Sequence, residues 1–243
     1  MTRTIGVLAA LVALLAISMA IAVLVGAVPI SPADVARSLA GGSDGPTGTI
    51  VRRGAVERFL DRVPKAALVV MDEAYFEYVE DPEYPDGLEY VRQGRNVVVL
   101  RTFSKIYGLA GLRVGYGIAP PEVCQALHQV REPFNVYLVA QEAAIASLDD
   151  PDQVTRARRA NAEGREYLNA AFASLGLAPV PTQANFILVD LGRESRPVYE
   201  ALLRRGVIVR DGTGLGLPTH LRVTTGTRPQ NERLIATLRE VLG

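Results

Sequence analysis

Lys105 is one of only two lysines among the 26 basic residues of this 243-residue chain; the other is Lys65, and the remaining 24 are arginine. A lysine kept in so arginine-rich a sequence points to work that arginine cannot do, because only the ammonium can lose its proton and act as a nucleophilic amine. Lys105 follows the apolar run 97–100 by a few residues, and Asp72 directly follows the apolar run 66–71. In open parallel sheets, ligands bind beyond the carboxyl ends of the strands, so this amine and this carboxylate face one crevice if the two strands are neighbours. The plainer alternative is that Asp72 caps a turn and Lys105 is a solvated loop residue.

Other chemistries find little support. Ser104 beside Lys105 suggests a serine–lysine hydrolase, but adjacent side chains point apart and no oxyanion motif accompanies them. Glycines 108, 111, 115 and 117 do not make the dinucleotide-binding G-x-G-x-x-G pattern. A single cysteine, Cys124, excludes an internal disulfide framework, and with only His128 and His220 no metal site is expected. Basic and acidic residues balance at 26 each, which argues against a nucleic-acid partner.

Beyond a turn-rich break at 41–45, helical and strand periods alternate as in an α/β protein. Helices are expected over 51–63, 122–130, 139–148 and 153–175, buried strands over 66–71 and 97–100, and a third strand over 112–118. The last quarter reads as strands over 185–189, 207–210 and 221–223, a helix over 197–204, and a final helix from Pro229 whose Leu234, Ile235, Leu238, Val241 and Leu242 recur at helical spacing.

The segments Val70-Met71-Asp72-Glu73-Ala74-Tyr75 and Thr102-Phe103-Ser104-Lys105-Ile106-Tyr107-Gly108-Leu109-Ala110-Gly111-Leu112-Arg113-Val114-Gly115 resemble the pyridoxal-phosphate aminotransferases of fold type I, most closely the histidinol-phosphate aminotransferases. The resemblance runs from Pro46-Thr47-Gly48-Thr49 to the C-terminus. It implies a partial α/β fold: an incomplete large-domain mixed sheet over 45–150, then a connecting helix and small α/β domain over 151–243. It also implies pyridoxal 5'-phosphate as cofactor, with Lys105 forming the Schiff base and moving the α-proton, which calls for an amine of lowered pKa. Asp72 would face the pyridine nitrogen, Tyr75 the phenolic oxygen, and Thr102, Ser104 and Arg113 the phosphate. In Leu221-Arg222-Val223-Thr224-Thr225-Gly226-Thr227, Arg222 would grip the substrate carboxylate as a planar fork. Asn185 and Arg210 would line the substrate pocket, Arg210 on a phosphate or carboxylate, while Pro133-Phe134-Asn135-Val136 would form a wall. The partners implied are an amino donor and a 2-oxo acid, with the family's usual homodimer and a cytoplasmic setting. An aromatic amino-acid specificity stays open beside histidinol phosphate.

The first 44 residues differ in kind. Residues 5–28 carry no charge over 24 positions, and as a helix would reach about 36 Å, enough to span the roughly 30 Å hydrocarbon core of a membrane. With Gly26-Ala27-Val28-Pro29-Ile30-Ser31-Pro32-Ala33-Asp34-Val35, they resemble the first span of iron-siderophore ABC transporter permeases. One transmembrane-like helix and a membrane contact through 5–28 are therefore expected ahead of the aminotransferase-like part. Where the family has an asparagine before Pro-Thr-Gly, this sequence has Gly45, so one cofactor contact is missing. The family's amino-terminal half is missing too, so a chimera or rearranged gene, with exposed sheet edges and apolar faces, is a second expectation.

Overall fold

A computed structural model describes residues 52–243. The expected apolar helix 5–28, the break near 45 and the Pro46–Thr49 motif lie outside those residues. Among the described residues, no helix is long and apolar enough to cross a membrane.

The first sheet has three strands, β1 (Val69–Asp72), β2 (Val97–Thr102) and β3 (Gly115–Ile118), in that order. β1 and β2 are parallel, and β3 runs antiparallel to β2. Two helices cover one face. α1 (Arg53–Arg62) buries Ala55, Val56 and Leu60. The short α2 (Gly87–Arg92) starts at Asp86, whose side chain accepts from Leu88 N–H, and buries Tyr90. With Val97 and Val99 these residues form one core. The other face is only partly covered: Val98 is buried, but Val70 is 56% and Leu100 40% exposed. The expectation of fully buried strands therefore fails for β1, which alternates between half-buried and exposed positions.

Three helices follow, α3 (Pro121–Val130), α4 (Leu138–Leu148) and α5 (Pro151–Ser174). α4 is apolar apart from Gln141, Glu142 and Ser147, yet buries only Ala140 and Ala144, against Phe103 and Val114. Leu138, Val139, Ile145 and Leu148 stay exposed. α5 is set by its first residues, since Pro151 has the φ of a first helical position and the Asp150 side chain accepts from Gln153 N–H at 3.1 Å.

The second sheet is antiparallel, in the order β4 (Ala178–Pro179), β5 (Phe186–Asp190), β7 (His220–Thr224), β6 (Arg210–Asp211). α5, α6 (Ser195–Arg204) and α7 (Arg228–Leu242) bury Leu168, Phe172, Leu202, Leu234 and Leu238 against Ile187, Val189, Leu221 and Val223. The strict alternation of β5 and β7 sends Ile187, Val189, Leu221 and Val223 into this core, and Phe186, Leu188 and Arg222 to the other side.

Two expected strands shrink for a backbone reason. Arg113 takes a left-handed φ of 54°, so the 112–118 run pairs only from Gly115 onward. Only Arg210 and Asp211 of the run starting at 207 join the ladder, because α6 ends in a Schellman turn: Gly206 has φ 74°, its N–H donates to Leu203 O at 2.9 Å, and Val207 N–H donates to Leu202 O at 3.0 Å. Residues 64–67 form a turn rather than the start of β1, with Ala67 N–H donating to Pro64 O. α2 and β4 carry too few periodic residues to be read from sequence.

Candidate active site

β1 and β2 are neighbours, so Asp72 and the Thr102–Lys105 segment leave the same, carboxyl end of the parallel pair. Asp72 is exposed and its Oδ1 accepts from Ala74 N–H at 3.1 Å, so it does cap a turn. It also lines a cavity of about 350 Å³ with Tyr75, Tyr84, Gln183, Phe186 and Leu188. No cation pairs with Asp72, and no carboxylate with Lys105, in the ion pairs of the described residues.

The turn after β2 is held by its own hydrogen bonds. Phe103 N–H donates to Val114 O, Leu109 N–H to Phe103 O and Gly108 N–H to Lys105 O. Phe103 and Ile106 are buried on either side of Lys105, which leaves the lysine half-buried between two anchors. Thr102 Oγ1 accepts from Ser104 N–H at 3.0 Å and lies 3.4 Å from Val114 O, to which it donates. The threonine hydroxyl thus braces the turn. Ser104 is half-buried; Arg113 is exposed, with Nη1 donating to Ala110 O at 2.8 Å.

Tyr75 is where the pieces converge. Its ring lies edge-on to Phe186 with centroids 5.4 Å apart, and Lys105 Nζ is 5.1 Å from its centroid. Its hydroxyl accepts from Arg222 Nη2 at 3.1 Å. Arg222 lies over Phe186, 3.9 Å from that ring's centroid, and its buried Nε has no hydrogen-bond partner among the described residues. Phe186 thus supports both Tyr75 and Arg222. It passes unremarked in the sequence because an aromatic residue in a strand usually means core.

Arg210 and Arg222 are directly opposite each other on β6 and β7, and neither pairs with a carboxylate among the described residues. Like charges so placed repel, and an anion between them would relieve the repulsion. Asn185 lies elsewhere: it borders a second cavity of about 360 Å³ with Tyr78, Asn161 and Thr225, not the one that contains Asp72. Its carbonyl accepts from Thr225 N–H at 2.9 Å. Burial pushes the neighbouring Tyr78 hydroxyl up in pKa, although a hydrogen bond with Asn185 opposes this. Phe134, in the segment read as a wall, is 95% exposed with φ 55°.

Comparison with known proteins gives a consistent picture. The family model "Aminotransferase class I and II" matches residues 40–238. Histidinol-phosphate aminotransferase of Moorella thermoacetica is 59% identical over 198 residues, 81% of this chain and 51% of that protein. The enzyme of Akkermansia muciniphila is 52% identical over 197 residues, again 81% of this chain and 53% of that protein. The crystal structure of histidinol-phosphate aminotransferase from Sinorhizobium meliloti in complex with pyridoxal-5'-phosphate superposes with a TM-score of 0.73 at 32% identity, covering 79% of this chain and 53% of that one. The chain spans about half the length of the curated relatives it matches.

Proposed function

The chain belongs to the class I and II aminotransferase family, and from that premise we propose that its described part is the lysine-bearing portion of a pyridoxal-phosphate-dependent aminotransferase acting on histidinol phosphate, a step of histidine biosynthesis. The amino group would pass from histidinol phosphate, leaving imidazole acetol phosphate, to 2-oxoglutarate, giving glutamate. As in the family, a second copy of the chain is the expected assembly. Residues 45–150 and 151–243 are taken as the partial cofactor domain and the small domain, each with its own sheet.

The convergence on Tyr75 carries this reading: the Lys105 amine lies against its ring and the Arg222 guanidinium against its hydroxyl. The residues fit the cofactor. Among the described residues, an amine and a carboxylate without ion-pair partners sit at neighbouring strand ends, and the buried Arg222 Nε has no acceptor. When bound, pyridoxal phosphate supplies an aldehyde that takes up an amino group and a ring that draws electrons from the substrate's α-carbon.

The rest is work for this chain's side chains. Lys105 would hold the aldehyde, give it up to the incoming amino group of the substrate and, freed as an amine, move the proton at the α-carbon. Asp72 accepts from the ring nitrogen and keeps its proton in place. Tyr75 donates to the phenolic oxygen. Ser104 and Arg113 hold the phosphate, with Thr102 shaping their turn through its bond from Ser104 N–H. Arg222 grips the substrate carboxylate. Asn185, which borders a separate cavity, is given no substrate contact. The Arg210–Arg222 pair favours a substrate with a phosphate as well as a carboxylate over an unphosphorylated aromatic amino acid.

The test is a visible absorbance spectrum of the full chain with added pyridoxal phosphate, repeated for Lys105→Ala. A band of lysine-bound cofactor that disappears in the variant supports the reading, and absence of the band in the unsubstituted chain overturns it. Among amino donors, histidinol phosphate should bleach that band faster than phenylalanine; equal rates would remove the narrower specificity.

A further inference from the structure

Behind the candidate site, on the opposite face of the first sheet, lies a buried ionic cluster that the reaction itself does not use. Consecutive residues of a strand point to opposite faces, so Arg101 stands back to back with Thr102, and Glu73, the first residue past β1, continues the alternation behind Asp72 through its N–H bond to Leu100 O. Glu73 is only 2% exposed. Its Oε2 accepts from Arg101 Nε at 3.0 Å and Nη2 at 2.8 Å, and its Oε1 from Gly87 N–H at 2.7 Å. Arg101 Nη2 also reaches Asp86 Oδ1 at 2.7 Å, and the guanidinium lies 3.8 Å from the centroid of Phe76. Glu73 N–H donates to Leu100 O at 2.9 Å. One planar cation thus ties the end of β1, the end of β2 and the start of α2.

The tie is close-fitting. A side chain at Gly87 would put its Cβ 2.6 Å from Glu73 Oε1 and 2.7 Å from Val99 Cγ2, so only glycine lets α2 approach this far. The cluster is also costly. Burial pushes the Glu73 carboxyl up in pKa even with Arg101 bound to it. Well-packed apolar residues commonly hold such a layer as stably as a buried ion pair does. What an arginine fork adds is a fixed distance and direction between the groups it joins.

We propose that Arg101, through Glu73 and Asp86, is a positioning residue that sets Asp72 at the end of β1 relative to the Thr102–Lys105 turn at the end of β2. This rests on the pyridoxal-phosphate reading of the site. Arg101 touches neither cofactor nor substrate; it acts through the strands on which Asp72 and Lys105 depend.

The experiment uses the full chain and two variants. Arg101→Lys keeps a charge beside Glu73 but cannot bridge both carboxylates, and Glu73→Met/Arg101→Met removes the buried pair together so that neither charge is left alone. Pyridoxal phosphate affinity is read by titration of the visible band, its protonation by the pH midpoint of that band, and folding by the melting temperature. In both variants affinity is expected to fall about tenfold or more and the pH midpoint to move, with cooperative melting retained, since small misplacements of reacting groups are costly. Cooperatively folded variants with unchanged affinity and midpoint would overturn the proposal. So would a loss of affinity that merely tracks the melting temperature at an unchanged midpoint, or failure of both variants to fold, because either assigns the cluster to stability alone. If the unsubstituted chain shows no band, the cofactor reading itself fails and takes the proposal with it.

Discussion

The Tyr75 hydroxyl accepts a 3.1 Å hydrogen bond from Arg222, joining residues 147 positions apart and linking the turn that follows β1 to the middle of β7 in the second sheet. The guanidinium is held from below by the Phe186 ring, so its fork is aimed before any ligand arrives. Such preorganisation removes part of the ordering cost from carboxylate binding.

Arg222→Lys should therefore lose more than a conservative change suggests. The ammonium cannot hold the Tyr75 hydroxyl and a carboxylate in one plane. Weakening of 2-oxoglutarate binding by about tenfold or more is expected, the worth of one charge-assisted bond. Titration of the cofactor band with 2-oxoglutarate measures it; unchanged affinity would remove Arg222 from the carboxylate site.

Leu168→Ala tests the second core. Leu168 is fully buried on α5, packed with Phe172 against the sheet. Truncation should cost about 2–5 kcal/mol, since transfer and cavity terms add. Urea unfolding should show it as a lower midpoint with little change in slope.

Gly206→Ala probes the turn that ends α6. At φ 74° an alanine is strained, and its Cβ would also stand 2.9 Å from Arg233 Nη2, a flexible side-chain end that can move. A loss of about 1–2 kcal/mol is expected from the backbone term. A melting temperature equal to that of the parent chain would contradict the Schellman geometry.

Acid should loosen the latch between α6 and β6. Asp211 Oδ1 accepts from the buried Ser195 hydroxyl at 2.5 Å, from Thr213 N–H at 3.2 Å and from Thr213 Oγ1 at 3.0 Å. The Ser195 bond, ahead of the others, holds the carboxyl below its ordinary value of 3.8. Folding thus favours the ionised form. The resulting stability is fully present above the unfolded value and is lost as pH falls from about 4 through the lower folded value. Asp211→Asn should flatten that part of the stability–pH curve, and an identical slope in the variant would show that Asp211 does not contribute to it.

Much of this was legible in the sequence because its signals are local. The apolar run before Asp72 and the one before Lys105 each mark a strand, and the structure makes those strands parallel neighbours as the crevice argument requires. The helices expected over 153–175 and from Pro229 form as Pro151–Ser174 and Arg228–Leu242, each starting a residue or two earlier because Asp150 and Thr227 cap them. Thr102 shows the limit of motif transfer. Its place in the motif suggests a phosphate ligand, whereas its hydroxyl is engaged by Ser104 N–H and Val114 O. Asn185 shows another limit: it lies in the bend just before β5 and borders a neighbouring cavity, whereas Phe186, the first residue of the strand, lines the site.

Local patterns in the chain were enough to order the longer helices and strands, to put the amine and carboxylate at two strand ends and to point to the family of their motifs, because periodicity and short motifs are written within a few residues of one another. The tertiary structure alone decided that Tyr75 would meet Arg222, that Phe186 would support both, and that Arg101 would tie Glu73 to Asp86 behind the site. These contacts join residues from 15 to 147 positions apart, and pairing at such separations depends on which strands become neighbours and which faces they present, quantities that no local pattern contains.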